Sequence, residues 1–214
     1  AAAGALVHAP VAAGDCLFCH APHQAERGGL LRGDAEALCV PCHQDAREQA
    51  KLASVHAPFK LLECGECHQP HGGTPGMLRQ ADPALCMRCH AGVQEKIQKA
   101  AVAHPPAQAA CSTCHAGHAT QEHALLKQAG SGVCLGCHGD VEAQLKQPFV
   151  HEPIAAGACA ACHEVHGGAR QDLLAQEQPR LCLECHRQQS EQRTLQAQHQ
   201  PFADGTCTTC HAAH

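Results

Sequence analysis

Helix-forming residues collect in four short stretches of the chain, and the positions between them follow no strand pattern. The stretches are rich in Ala, Gln, Glu, Lys and Arg, which favour helix. They span residues 44–53, 91–101, 139–147 and 187–198. Helices of about ten residues are marginal alone in water, so each needs anchoring by tertiary contacts. The pattern predicts short α-helices in a mostly irregular coil, without a sheet.

The apolar positions are too small and too scattered to build an ordinary core. The apolar fraction is 44%, but the 214 residues include no Trp, no Tyr and only four Phe. Large side chains supply most of the apolar area that a core buries, at roughly 25 cal/mol per Å². No run of about 18 apolar residues predicts a membrane-spanning helix. Something other than side chains must therefore fill the interior.

The cysteines reveal an internal repeat. All eighteen fall into nine Cys-x-x-Cys-His pentads, and the pentads pair into units of about 48 residues. We predict one domain over residues 1–214. Its repeats are 8–55, 56–103, 104–150 and 151–198, followed by a half repeat, 199–214.

Each unit has the same internal order. It opens with a histidine followed shortly by proline, a combination that predicts an extended, stiff segment. The first, odd-numbered pentad continues as Cys-x-x-Cys-His-x-x-His. A glycine pair then marks a turn, and a short leucine segment leads to the even-numbered pentad. The third unit lacks the glycine pair and carries an extra histidine, His123.

Cys-x-x-Cys-His is the attachment signature of c-type haem. The two thiols form thioethers with the porphyrin, and the adjacent histidine becomes the proximal iron ligand. Zinc or an iron–sulfur cluster is the alternative for a single Cys-x-x-Cys, but nine pentads that use every cysteine argue against it. The predicted attachment residues for nine haems c are Cys16, Cys19, Cys39, Cys42, Cys64, Cys67, Cys86, Cys89, Cys111, Cys114, Cys134, Cys137, Cys159, Cys162, Cys182, Cys185, Cys207 and Cys210. The predicted proximal ligands are His20, His43, His68, His90, His115, His138, His163, His186 and His211.

Ten of the eleven remaining histidines recur at fixed places and are candidate distal ligands. They are His8, His23, His56, His71, His104, His118, His151, His166, His199 and His214. Two histidines per iron argue for low reduction potentials and leave no open site for a substrate. If the residues after a proximal histidine turn helically, His20 and His23 share one helix face and must serve different haems. Ten candidates for nine haems leave one surplus, expected at His8, His23 or His214, which is either available to a neighbouring subunit or idle.

The segments VHAPVAAGDCLFCHAPH and VHAPFKLLECGECHQPHGG, each followed by a second pentad, resemble the doubled CXXCH family of multihaem cytochromes c. The resemblance spans the whole chain. It implies haem attached outside the cytoplasm, bis-histidine irons and electron transfer among stacked haems. Some members lie inside outer-membrane porins, others polymerise into extracellular filaments, and others shuttle electrons in the periplasm.

These features predict a non-enzymatic electron-transfer protein with a linear row of haems. Filament subunit, porin-embedded conduit and soluble shuttle all remain open, with other redox proteins as partners. The chain has a net charge of −5 and no basic cluster, which argues against nucleic-acid binding. Its small-residue start is typical of a mature end after signal cleavage, so we expect an exported protein, extracellular, outer-membrane associated or periplasmic. The alternative function is a multihaem reductase of nitrogen or sulfur oxyanions, which would need an altered pentad, and none of the nine is altered.

Overall fold

The computed structural model describes residues 6–214, so the small-residue start lies outside the described residues. They form short helices joined by irregular coil, and two antiparallel ladders of two residues per strand are their only sheets. The fold class predicted from the sequence is thereby confirmed. The ladders pair Leu6–Val7 with Gly72–Gly73, and Ser54–Val55 with Ala119–Thr120.

A short helix follows the opening histidine of each unit, where the sequence predicted an extended segment. The prediction holds for the histidine itself, since His56 has φ −63° and ψ 132°. It fails for the residues after it, because proline at the first helical positions has a suitable φ and lacks only an N–H that the helix does not use. These opening helices are Ala9–Ala12, Ala57–Lys60, Pro105–Ala109, Glu152–Ala155 and Gln200–Asp204.

The pentads form single helical turns, and the predicted connecting helices are present but shorter than their stretches. Odd pentads begin with α-helical turns at Cys16–Cys19 and Cys64–Cys67, and with 3-10 turns at Cys111–Thr113, Cys159–Ala161 and Cys207–Thr209. Even pentads follow or overlap helices Ala35–Leu38, Ala84–Met87, Gly132–Leu135 and Arg180–Leu183. The connecting helices are Asp45–Gln49, Ala91–Lys99, Gly139–Gln144 and Arg187–Gln192.

A tight turn precedes the second leucine of each leucine segment. In the second unit Gly76 and Met77 both have positive φ, 77° and 58°. In the third unit Ala124 and Leu125 adopt the same conformation without glycine, at a cost of roughly 1–2 kcal/mol per residue. The missing glycine pair therefore does not change the turn. The four turns are Gly28–Leu30, Pro75–Met77, His123–Leu125 and Gln171–Leu173.

The second glycine after the second-unit Cys-x-x-Cys-His-x-x-His motif, Gly73, is required for close packing of this turn. A Cβ on Gly73 would lie 2.7 Å from the Leu78 carbonyl oxygen, whereas one on Gly28 would meet no atom within 4 Å. We expect Gly73→Ala to destabilise the protein by about 1–3 kcal/mol through overpacking. Gly28→Ala should leave the free energy of unfolding within about 0.5 kcal/mol of wild type, and so hardly move the midpoint of thermal unfolding. Equal midpoints for the two variants would contradict this description of the turn.

The described residues divide into two compact parts, which are not the same as the repeat units. The first extends to His90 and also includes Ala109–Lys127, and the second comprises Ala91–Gln108 and Gln128–His214. Both ladders belong to the first compact part. In the second compact part, a backbone pairing of Val102 with Gly168 takes the place of a ladder. The prediction of one domain over the whole chain stays a prediction.

Side chains do not fill the interior of the protein. Among the described residues only Val40 and Ala119 are buried apolar side chains, at 3% and 8% exposure. The chain has 14573 Å² of accessible surface, whereas a compact protein of 22.4 kDa exposes about 9,400 Å². The polypeptide therefore leaves a large surface for another group to cover, including exposed apolar side chains such as Phe18 and Leu61.

The longest helix, Ala91–Lys99, has nine residues. Within residues 6–214 no helix has the length and apolar character that crossing a membrane requires.

Candidate haem sites

Histidine rings that are far apart in sequence meet in near-parallel pairs. In the first set, the opening histidine of a unit faces the histidine of the even pentad of the same unit. The ring centroids are 6.0–6.4 Å apart and the planes differ by 17–21°. The pairs are His8–His43, His56–His90, His104–His138 and His151–His186.

In the second set, the histidine of an odd pentad faces the last histidine of the next Cys-x-x-Cys-His-x-x-His motif. His20 and His71 are 5.8 Å apart at 24°, and His163 and His214 are 5.8 Å apart at 26°. His68 and His118 are also 5.8 Å apart, but tilted by 53°. The set thus connects consecutive units within each of the two compact parts.

The spacing of the pairs suits one metal atom between two imidazoles. An imidazole nitrogen binds a metal such as zinc at about 2.0–2.1 Å, which places two opposed nitrogens about 4 Å apart and their ring centres about 6 Å apart. The seven separations of 5.8–6.4 Å fit this arrangement. Together with the uncovered apolar surface, they show that the residues fit a bis-histidine haem.

Backbone carbonyl groups orient the odd-pentad histidines. The Nδ1 atom of His20 lies 2.6 Å from the Gly29 oxygen, and that of His68 lies 3.0 Å from the Gly76 oxygen. Because a carbonyl only accepts, Nδ1 carries the hydrogen and Nε2 keeps its lone pair for a metal. The same contacts join His115 to Ala124 and His163 to Asp172.

The carbonyl in each of these contacts belongs to the tight turn described above. Backbone bridges also join His20 to Leu31, His68 to Leu78, His115 to Leu126 and His163 to Leu174. The sequence interpretation treated the leucine segment as a connector and missed this role. The usable signal was a leucine at a nearly constant distance after every odd pentad of a complete unit, preceded by another leucine or, in the second unit, by Met77.

The small ladders align the distal candidates. Ser54–Val55, directly before His56, pairs with Ala119–Thr120, directly after His118. His56 also donates its backbone N–H to the His118 oxygen at 2.8 Å, and its Nδ1 lies 3.0 Å from the Gly117 oxygen. The Leu6–Val7 ladder holds His8 and His71 in the same relation. Each ladder thus fixes the relative position of two histidines, an opening histidine from the first set of ring pairs and a last motif histidine from the second set.

His118 is the distal candidate with the most perturbed surroundings. The Phe59 ring stacks on it at 4.4 Å, and Gln49 Oε1 lies 3.1 Å from its Nδ1. Burial lowers the pKa of His118, and nearby His68 lowers it further. A neutral imidazole is the form that binds a metal.

A family model of the doubled CXXCH motif matches four segments, residues 8–48, 56–95, 104–143 and 151–191. They cover most of the chain. The chain belongs to the doubled CXXCH motif family. A search of curated proteins finds no match. The family confirms the predicted resemblance, and its motifs indicate covalent haem c in a multihaem cytochrome. The matched segments hold eight of the nine pentads, and the pentad at Cys207 lies outside them.

In this doubled CXXCH protein the two cysteines of a pentad are three residues apart in one helical turn, so both thiols project from one side. All eighteen cysteine side chains are partly or fully exposed, as thioether formation requires. Where an even pentad precedes the next unit, their first cysteines adjoin. The Cys39 and Cys182 thiols hydrogen-bond to those of Cys64 and Cys207. Burial raises the pKa of the Cys111 thiol to about 12, and the nearby Cys86 thiol is the second cause of this shift.

Within one repeat unit, the neighbouring thiols are those of the second cysteine of each pentad, not of the first. Burial raises the pKa of Cys67 and of Cys162, and the nearby thiols of Cys89 and Cys185 raise them further. In the first unit, Cys19 similarly adds to the raised pKa of Cys39. Pentads one to five, and seven to nine, are therefore neighbours in the order of the sequence.

Four histidines have no ring partner among the described residues. Three belong to the repeat: His23, His199 and His211. The fourth is His123, which the sequence already set apart. Of the three histidines expected to supply a surplus ligand, His8 and His214 are paired and His23 is not.

Proposed function

We propose that the chain is a non-enzymatic electron-transfer protein in which nine haems c, one per pentad, form a row in sequence order. The observation that carries the proposal is the set of seven histidine pairs at metal-spanning distance. When bound, haem c supplies an iron that takes up and releases one electron. The adjoining cysteines support a path without a long gap through pentads one to five and through pentads seven to nine.

The histidine pairs give each residue a role in this proposal. Opening histidines are distal ligands for the even pentad of their own unit. The last motif histidines His71, His118 and His214 serve the odd pentads of the preceding units, at His20, His68 and His163. Turn carbonyls fix the Nδ1 hydrogens of the odd-pentad histidines. Histidine on both sides excludes water and substrate from the iron, and it favours low potentials because neither ligand is a methionine sulfur.

The same pairs argue against the alternative, a reductase of nitrogen or sulfur oxyanions. Such an enzyme needs an iron position that a substrate can reach, and the paired histidines take both positions at seven pentads. Attachment to exposed thiols outside the cytoplasm, as in similar cytochromes, supports an exported protein that carries electrons across or beyond the cell envelope.

We further propose that copies of the chain join end to end, as in an extracellular filament. In both compact parts, a histidine three residues after one pentad histidine pairs with the pentad histidine of the preceding unit. Among the described residues, His23 is such a histidine without a ring partner, and His211 is such a pentad histidine without one. When a second copy places its own His23 beside His211 of the first, the same pairing of a pentad histidine with a motif histidine is repeated between the two copies. This complementarity favours a filament over a porin-embedded conduit.

Haem counting tests the proposed number of sites. The pyridine haemochrome assay should return nine haems per chain for the wild type. It should return eight for the double variant Cys207→Ala/Cys210→Ala, which removes the pentad outside the matched segments. Eight haems in both proteins would limit the row to the four matched units. An optical spectrum dominated by high-spin haem would instead revive the reductase.

A further inference from the structure

One carboxylate lies at the junction between the fourth and fifth pentads. The Asp82 oxygens accept hydrogen bonds from the backbone N–H groups of Cys111, at 2.9 Å, and Ser112, at 2.7 Å. The Cys86 thiol donates to Asp82 at 3.8 Å. Carboxylate and both thiols lie within 4.8 Å of one another. Asp82 therefore adjoins the attachment points of two consecutive haems.

The equivalent position at the other junctions is neutral. Four residues before the first cysteine of the even pentads stand Ala35, Gly130 and Gln178. Gln178 makes a similar backbone contact, since its Oε1 accepts from the Thr208 N–H at 3.3 Å. A neutral amide therefore suffices to hold such a junction, and the charge of Asp82 is not needed for that purpose.

The surroundings keep Asp82 ionised at neutral pH. Burial alone would raise the pKa of Asp82, but the hydrogen bonds from Ser112 and Cys111 outweigh burial and lower it. Among the described residues no lysine or arginine forms a salt bridge with this carboxylate. Its charge is therefore uncompensated where two pentads meet.

We propose that the Asp82 carboxylate lowers the reduction potentials of the two haems attached at Cys86 and Cys111, and so creates a low-potential step inside the row. The proposal rests on the proposed function, because both pentads must carry haem. A nearby negative charge stabilises the oxidised iron, which carries one more positive charge than the reduced iron. A partly buried charge is screened less by salt than an exposed one. Asp82 is thus a potential-setting residue that leaves iron ligation unchanged.

Asp82→Asn removes the charge and keeps one acceptor oxygen, which can bind one of the two backbone N–H groups, the number that Gln178 binds. Spectroelectrochemical titration of the haem-loaded variant should move two of the nine haems to higher potential and leave the others in place. The converse variant Gln178→Glu should lower the potentials of the haems at Cys182 and Cys207. Asp34→Asn, which removes an exposed carboxylate paired with Arg27, should leave the titration curve unchanged.

The outcomes separate this proposal from the proposed function. Nine haems per chain with superimposable titration curves for wild type, Asp82→Asn and Gln178→Glu would overturn the role of Asp82 alone. An equal shift in Asp34→Asn would also overturn it, because the effect would then not depend on position. A wild-type haem count that lacks the fourth and fifth sites would overturn the proposed function itself. Should Asp82→Asn fail to fold, Gln178→Glu decides by the same measurement.

Discussion

Replacement of His23 by alanine is expected to dissolve end-to-end assemblies of the chain into single copies. It should also convert one haem of the nine from low-spin to high-spin, since the iron at His211 then lacks a sixth ligand. The effect is large because a metal–histidine bond across the contact is lost, not a solvent-exposed polar contact. Negative-stain imaging and the optical spectrum of the same sample measure both consequences.

A matched control uses the other unpaired repeat histidine. His199→Ala should leave fibres and spectrum unchanged, because no pentad in the observed register uses an opening histidine of the half repeat. Dilution of wild type until fibres dissociate should produce the same high-spin fraction as His23→Ala. Fibres of His23→Ala with wild-type length and nine low-spin haems would contradict the proposed contact. Discrete wild-type particles with a co-purifying barrel would favour the porin conduit.

Replacement of His71 by alanine is expected to make the haem attached at Cys16 and Cys19 high-spin. His71 faces His20 from the next unit, so its loss opens one axial position and raises the potential of that single site. One haem in nine should change its optical and EPR signature. His123→Ala, outside the repeat, should leave both spectra unaltered.

Double variants identify which haem responds. If His71 serves His20, removing the first haem with Cys16→Ala/Cys19→Ala should abolish the spectral effect of His71→Ala, because the affected site is gone. Removing the third haem with Cys64→Ala/Cys67→Ala should preserve it. The reverse result would mean that His71 serves the pentad in its own motif.

The sequence alone predicted the short helices, the coil between them and the repeats of about 48 residues, because these follow from residue type and spacing. The expectation that His20 and His23 serve different haems relied on a helical turn after His20. In the structure His20 is extended, with φ −109° and ψ 142°, so that premise was wrong. The ring facing His20 comes from His71, and the ladder at Gly72–Gly73 sets that long-range register.

Two other features depend on backbone conformations that residue types do not announce. Ala124 and Asp172 have positive φ, so the histidine-orienting turn exists where no glycine predicts it. Similarly, the prolines of the opening segments suit a first helical turn as well as an extended chain. The conformation of the turn is set by a contact outside it, because the carbonyl of each turn binds the ring of a histidine about nine residues earlier in the chain.

The central claim is that histidines from consecutive units share one iron. A high-resolution cryo-EM map of the haem-loaded protein tests it directly at the first pentad. The account predicts continuous density from His20 through the iron to His71, and from His43 through the next iron to His8. Density from His23 to the iron of His20, or a water opposite His20, would contradict it.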